Sequence, residues 1–593
     1  MLAVLLFHLL QLQSVSQHSV AQAKKATAIR QTDVHRGYIG SKACAQCHPA
    51  IFNSYTQTEM GRSMTPVTPS LLANLATPKT IFNSRMNRYF AVFVRQGQLF
   101  QSEWETDADG KDVFRETERV EWLIGAGQNA IGGIIRRGDR LYEAPLTFYE
   151  KSHTWAMSPG YEEVDRGFDR PIEEECIACH SARSNPIQGA VGRYKDPPFE
   201  ELALGCETCH GPGDTHVRNM KRGASKTNDT NPSIVNPAKV PPWLANNICM
   251  SCHQNGDARV LQPGRSIQDF RPGQPLDDTL AILMAPPTHE SPPNSDHVQH
   301  YFSMTLSKCY RESGGKLSCI TCHNPHVQPS DEESHAYYKS KCLGCHTSSS
   351  CAAPLLTRQQ TTPQDDCIAC HMPKRDISGI SHASLTNHRV IATPEEDFPE
   401  ITFQLTTPAV PDLVHLDAIP DKQDTTPPLI TLLQAYGQIG VEHRDYLKRY
   451  FEIADQLAPT EPNNIYVLEA LASRSLQENT PEGHSAAMEY LHRAIAQGSV
   501  SAWDYEQLGT ELFKAHKFLE AEACLRKGIQ AAPYDANLYI LIAEGYLADN
   551  RPTEAASVLE RALEIFPQID LLRDFLNEIK RSGGPPGGNR PSP

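Results

Sequence analysis

The chain of 593 residues lacks several things that would place it quickly. Outside its first residues it has no apolar run approaching the roughly 20 residues needed to span a bilayer as a helix. It has no surplus of positive charge: 55 Lys and Arg against 70 Asp and Glu give a net charge of −15, which excludes the basic patch of a nucleic-acid-binding protein. Apolar residues make up 39%, little for a chain of this size, so part of the core must come from something other than side chains. A dinucleotide fingerprint is present only in outline. Gly125-Ala-Gly-Gln-Asn-Ala130 matches G-x-G-x-x-A, but glycines, β-branched residues and a turn follow where a helix would be required, so it reads as a loop.

Cysteine is plentiful and strictly arranged. Seven times the chain spells Cys-x-x-Cys-His: Cys44–His48, Cys176–His180, Cys206–His210, Cys249–His253, Cys319–His323, Cys342–His346 and Cys367–His371. The spacing is that of c-type haem attachment, in which two thiols form thioethers to the porphyrin and the adjoining imidazole becomes an axial ligand of the iron. Zinc does not require a histidine directly after each pair, a thioredoxin-like redox pair would occur once, and a disulfide framework suits much shorter chains. The reading is therefore seven haem c groups. Their thioether carriers are Cys44, Cys47, Cys176, Cys179, Cys206, Cys209, Cys249, Cys252, Cys319, Cys322, Cys342, Cys345, Cys367 and Cys370. The proximal iron ligands are His48, His180, His210, His253, His323, His346 and His371. Cys309, Cys351 and Cys524 are left over; the first two suit a disulfide in an exported chain, the third a helical core.

Residues 1–23 combine the apolar run Leu2–Leu10 with Ala21-Gln22-Ala23, an A-x-A-like cleavage site, and read as a signal peptide despite the missing basic n-region. Export to the bacterial periplasm or beyond follows, with no membrane span in the mature chain. The haem zone runs over 38–392, about 50 residues per haem, too few for seven conventional domains. Within it, 79–165 has a different texture. Arg88–Val94, a turn at Gln96-Gly97 and Leu99–Trp104 read as one hairpin, and Gly132–Arg136, Gly138-Asp139 and Arg140–Tyr149 as another, which predicts a small β-rich insert. Seven prolines make 393–428 a linker or an extended strap. In 429–580 a 34-residue period appears: Tyr505 matches Tyr539, Leu508 matches Ile542, Ala521 matches Ala555, Leu525 matches Leu559 and Pro533 matches Pro567. That is the tetratricopeptide period, and its concave surface is a place to dock a redox protein partner. Residues 581–593 form a disordered tail. The expected fold class is mainly α: short helices and loops wrapped around haems, with the insert, then an α-solenoid.

The second axial ligand of each iron must come from elsewhere. Eleven histidines outside the motifs lie within or beside the haem zone: His35, His153, His216, His289, His297, His300, His326, His335, His382, His388 and His415. His216 in CHGPGDTH is turned away from its own haem by Gly-Pro-Gly, His326 in CHNPH follows a proximal histidine by three residues, and His388 in LTNHR follows the last motif. These three are the leading distal candidates, with His300 and His382 behind them. After the first motif Met60 or Met64 competes as a ligand, which would raise that haem's potential, against the plainer reading of methionine as packing.

The strings CETCHGPGDTH, KLSCITCHNPH and CIACHMPK followed by SLTNHR resemble the multihaem cytochrome c-552/4-like family over roughly 40–390, with attached tetratricopeptide repeats. The resemblance implies closely packed haems, mostly with two histidine ligands, and distal histidines donated across the cluster. It implies an electron carrier, with no catalytic residues assigned. The alternatives are an oxidoreductase acting on a small nitrogen or sulfur compound at one open haem, and a scaffold subunit of a larger redox complex. The active-haem string Cys-x-x-Cys-Lys of ammonia-forming nitrite reductases does not occur.

Overall fold

A computed structural model describes residues 36–582 apart from 128, 163, 224–232, 294–298, 377–383, 418 and 420–425. The signal peptide at 1–23, the tail beyond 582, and His35, His297 and His382 lie outside the described residues.

The N-terminal half is organised by a large, nearly closed antiparallel sheet of nine strands. They are β1 (Met64–Pro66), β2 (Lys79–Asn83), β3 (Arg88–Arg95), β4 (Gln98–Thr106), β5 (Asp112–Ile124), β6 (Ala130–Arg137), β7 (Arg140–Glu143), β8 (Leu146–Tyr149) and β9 (Thr154–Met157). The path runs β2-β3-β4-β5-β6-β8-β9, with β1 added on β5 and β7 on β6. Helix accounts for 43% and strand for 17% of the chain, so the mainly α expectation with a small insert is corrected: strand and helix divide between the two halves. The physical reason is visible in β5, DVFRETERVEWLI. Phe114, Val120 and Leu123 face the core, but Arg and Glu fill the positions between them and mask the alternation. Those charges are used inside the fold. Arg137 bridges Glu116, Glu118 and Asp169, and burial pushes the Glu116 carboxyl up to about 7.

The Gly125–Ala130 string is the turn between β5 and β6, with Gly125 and Gly127 at φ of 104° and 84°. The hairpin β10 (Arg183–Pro186)–β11 (Tyr194–Glu201) lies between the second and third motifs. Downstream, β12 (Ala258–Leu261), β13 (Leu280–Met284) and β16 (Val414–His415) make a three-stranded sheet. Between β13 and β16 in sequence, β14 (Lys374–Asp376) pairs with β15 (Ser384–Thr386).

The C-terminal half is a run of antiparallel helix hairpins: α1 (Leu429–Glu442) with α2 (Tyr446–Leu457), α3 (Ile465–Glu478) with α4 (Pro481–Ala496), α5 (Ala502–Lys514) with α6 (Phe518–Ala531), and α7 (Asn537–Ala548) with α8 (Pro552–Ile565), closed by α9 (Asp570–Ser582). Small residues sit where helices cross. A Cβ at Gly509 of α5 would lie 2.6 Å from Leu525 Cδ2 of α6.

The two halves share their cores. Ala258 and Val260 of β12, with Ala281 and Leu283 of β13, join Val410 and Leu413 and the α1–α3 side chains in one buried cluster. At the far end Arg88, 2% exposed, pairs with Asp570 at 2.6 Å and donates to the Gln568 carbonyl at 2.9 Å, while Gln568 Nε2 donates to Asp169 at 2.9 Å. The helices therefore hold the haem half at both ends of the run.

Candidate haem sites

A Cys-x-x-Cys-His string wound as a helical turn brings residues i, i+3 and i+4 to one face, so both thiols and the imidazole point the same way. The motifs adopt such turns: Cys206–His210 and Cys367–His371 are helices, Cys319–Cys322 is another, and Cys249–His253 ends the helix Pro242–His253. The backbone N–H of His48, His323 and His346 each donates to the carbonyl of the first cysteine of its own motif at 2.9–3.0 Å. Asp366 caps the seventh motif by accepting from Ile368 N, and Thr321 Oγ1 accepts from Ser318 N at the fifth.

The seven motifs are neighbours. The thiol of Cys44 lies close to that of Cys206, Cys179 to Cys252, Cys249 to Cys319, and Cys342 to Cys367. The Cys209 thiol feels the Cys252 charge, and Cys322 feels Cys345, so the third motif approaches the fourth and the fifth approaches the sixth. The resulting order is first, third, fourth, fifth, sixth, seventh, with the second beside the fourth. Cys309 and Cys351 are free thiols; Cys309 lies near Cys345 and Cys322, and Cys351 near Cys367.

Histidine rings from outside the motifs meet motif rings. His326 lies against His210 with centroids 5.8 Å apart and planes 4° from parallel. His300 lies 5.4 Å from His253, and His388 lies 6.1 Å from His323. His300 and His388 are 4.2 Å apart. His216, on the helix Asp214–Lys221, is close enough to His48 and His210 for their charges to act on it.

Several contacts deliver these rings. Glu59 and Gln328 are joined by two hydrogen bonds, tying the segment after the first motif to the one after His326. Ser307 Oγ donates to the His388 carbonyl and accepts from Val390 N. Met64 is fully buried between Ile134, Leu141, Ile172 and Ile177, as a packing residue would be, and Met60 sits half-buried in the single turn Met60–Arg62.

These residues fit haem iron. Metal–imidazole bonds of about 2 Å put two rings that share one iron roughly 6 Å apart between centroids. The His210–His326, His253–His300 and His323–His388 separations lie at or slightly inside that distance, whereas 4.2 Å between His300 and His388 leaves no room for an ion. Ring orientation fits as well. Nδ1 donates to a backbone carbonyl in His210 (Val235 O, 2.7 Å), His371 (Ile391 O, 2.6 Å) and His388 (Thr386 O, 3.0 Å), which fixes the tautomer and, in His210 and His371, turns Nε2 to the ligating role. Burial holds His180, His253, His323 and His326 below the usual imidazole range, favouring the neutral, ligating form.

The other spare histidines carry no local string that sets them apart. His335 pairs with Asp366 at 3.2 Å, beside the seventh motif, and carries no local string that points there. His153 packs on Phe148 in the sheet, and exposed His289 packs on Phe403. His415 faces two aspartates.

Solved structures similar to this chain include a thermophilic TPR protein of Thermus thermophilus, 21% identical with a TM-score of 0.21 over 27% of this chain and 84% of that one. MamA proteins are also similar: an RS-1 double mutant (17%, TM-score 0.22, 26% and 84% covered) and an MSR-1 form (18%, 0.19, 26% and 79%). No curated protein matches. Residues 148–211 match the family model described as Cytochrome c554 and c-prime, a stretch that contains the motifs Cys176–His180 and Cys206–His210. That match supports a c-type cytochrome segment with covalently bound haem, joined in this chain to tetratricopeptide-like helix hairpins.

Proposed function

We propose that the chain is an exported cytochrome that carries electrons along seven covalently bound haems, with the helical half docking a redox partner. The observation that carries this reading is the set of imidazole pairs at iron-bridging distance. It supports His326 as the second ligand opposite His210, His300 opposite His253 and His388 opposite His323; proximity supports His216 opposite His48. Haem c supplies one-electron chemistry when bound. The chain's own contribution would be to hold four of the irons between two imidazoles, those of the motifs ending at His48, His210, His253 and His323, which would close them to substrate, and to set neighbouring motifs side by side so that each site has an adjacent one. Burial of the rings and their hydrogen bonds to backbone carbonyls tune the sites.

Low-temperature electron paramagnetic resonance of the haem-loaded protein tests this. The expected spectrum is dominated by low-spin iron, and His326→Ala converts about one haem in seven to high spin. A wild-type spectrum with a large high-spin component would favour an oxidoreductase instead.

For the docking surface, deletion of 429–593 is a poor probe, because it would uncover Ala258, Val260, Ala281 and Leu283. Since α1 lies on β12 and β13, the helices further out along the run, α2 to α8, remain for a partner. Leu519 of α6 is among the most exposed large apolar side chains. Cross-links from the full protein to its redox partner should map to those outer helices; links confined to the haem half would refute docking by the repeats.

A further inference from the structure

At the seam between the halves, three side chains converge that neither haem binding nor the repeats use. Asp277 comes from the turn Leu276–Asp278, His415 from β16, and Asp417 from just beyond it. His415 Nε2 lies 3.1 Å from Asp277 Oδ1 and 3.2 Å from Asp417 Oδ1, and one ligand atom from each residue falls within 4.8 Å of the others. The His415 side chain is 3% exposed and that of Asp417 fully buried.

The distances suggest hydrogen bonds, but the directions do not. Neither ring nitrogen of His415 has a properly angled partner, and Asp417 Oδ2 is buried with none. One Nε2–H shared between two carboxylates makes two bent, weakened bonds. Two carboxylate oxygens held 3.1 and 3.2 Å from one ring nitrogen without hydrogen-bond angles, all three atoms within 4.8 Å of one another, are what ligands of one ion look like. Bonds of about 2.0–2.2 Å to a shared cation put neighbouring ligand atoms about 3.0–3.5 Å apart.

Charge argues the same way. With a proton as the occupant, an imidazolium between two carboxylates leaves a net charge of −1 buried at the seam. A divalent cation with neutral imidazole leaves none. Among the described residues, His415 is the cation paired with Asp277 and with Asp417.

The donor set identifies the class. Imidazole nitrogen with carboxylate oxygens suits zinc and its first-row neighbours, whereas calcium and magnesium take oxygen ligands throughout. We infer that Asp277, His415 and Asp417 bind one divalent transition-metal cation of the zinc class, separate from the haem irons.

Its place in the fold gives it a role. Asp417 Oδ1 accepts from Ile282 N of β13 at 2.8 Å. Gln262 Nε2 donates to both the backbone oxygen and Oδ1 of Asp277, and Gln262 Oε1 accepts from Thr431 Oγ1 of α1. The ion would clip the proline-rich strap onto the haem half, beside the first helix of the repeat. It would close a chain loop of well over a hundred residues, and so restrain the unfolded chain.

The test is a metal count on the full haem-loaded protein, incubated with zinc, freed of excess and analysed by plasma mass spectrometry, with haem iron subtracted from a haem assay. The expected result is about one non-haem divalent cation per chain, falling to under about a tenth in His415→Gln and in Asp417→Asn. A chelator should lower the helical melting temperature of the wild type and leave the variants unmoved. A wild-type count below about half an equivalent, or variants that keep the metal, would overturn the site and leave a protonated histidine between two aspartates. Because the wild-type count decides alone, variants that fail to fold do not rescue the idea.

Discussion

Residues 307–390, which hold the last three motifs, and residues 429–582, which hold the repeats, show two ways of ordering a chain. Between Leu306 and Ile391, no hydrophobic side chain among the described residues is buried. The helical stretch buries one on almost every turn, from Ile430 to Ile579. Side-chain burial at about 25 cal/mol per Å² is the main favourable term in folding, so the second region carries its own stability and the first does not. What the first region has instead is cysteines and histidines on short capped turns, placed against one another. Its core is expected to be the porphyrins those residues hold.

The largest break in that comparison would come from withholding haem. Protein made without haem attachment should lose hydrogen-exchange protection throughout 307–390 while 429–582 stays helical and protected. Protection surviving in the motif segment would show that the backbone alone holds it, and the contrast would collapse.

Next in size is the contact that joins sheet to helices. Arg88 is buried against Glu105 at 3.0 Å, Asp165 at 3.4 Å and Asp570 at 2.6 Å. Arg88→Met strands those carboxylates and should cost about 3–5 kcal/mol. In denaturant titrations followed by tryptophan fluorescence and by circular dichroism, the β sheet and the helices should then unfold separately. One coincident transition would mean the halves are held by the β12–α1 core alone.

Within the helices, Leu525 of α6 is fully buried in the hollow left by Gly509. Leu525→Ala should cost about 3 kcal/mol, read as a drop in the helical melting temperature, with the Soret band unchanged. A change in the haem spectrum would show that the helices shape the sites as well as support them.

Legibility in the sequence follows the same divide. The repeat could be read because a side-chain core repeats in register: Tyr505 with Tyr539 and Leu525 with Leu559 are the same packing positions 34 residues apart. The turns at Gln96-Gly97 and Gly138-Asp139 could be read because Gly and Asp mark reversals. The size of the sheet could not, since Glu116 and Glu118 of β5 and Arg137 of β6 form a half-buried ionic cluster with Asp169, and such charges read as surface. Of the candidate ligands, His216, His326 and His388 carried local strings. Their pairing with particular motif histidines is set by contacts such as Glu59–Gln328, between residues 269 apart. His415 looked like any spare histidine, because both aspartates that define its surroundings matter only once β13 and β16 pair.

The smallest expected effect is also the one that sets the two regions in opposite directions. In the helices, burial pushes the Asp504 carboxyl up to about 7 and its neighbour Glu469 up as well. An acid whose folded value is raised contributes stability that is complete below its unfolded value, near about 4, and is lost as pH rises through the folded value. The helical melting temperature should therefore fall between about pH 5 and about pH 8, and Asp504→Asn, always neutral, should flatten the slope. In the motif segment, the Arg358 and Lys339 side chains hold the partly exposed Asp365 below the usual carboxylate range. That contribution is present above the unfolded value and is lost as pH falls through the folded value, so Asp365→Asn should change exchange protection around 339–367 at neutral pH and have a progressively smaller effect as pH falls below about 4. Exposure to solvent keeps the second effect small. Equal pH slopes in the two regions would mean that they unfold as one unit, and that the side-chain core of the helices extends its hold to the motif segment.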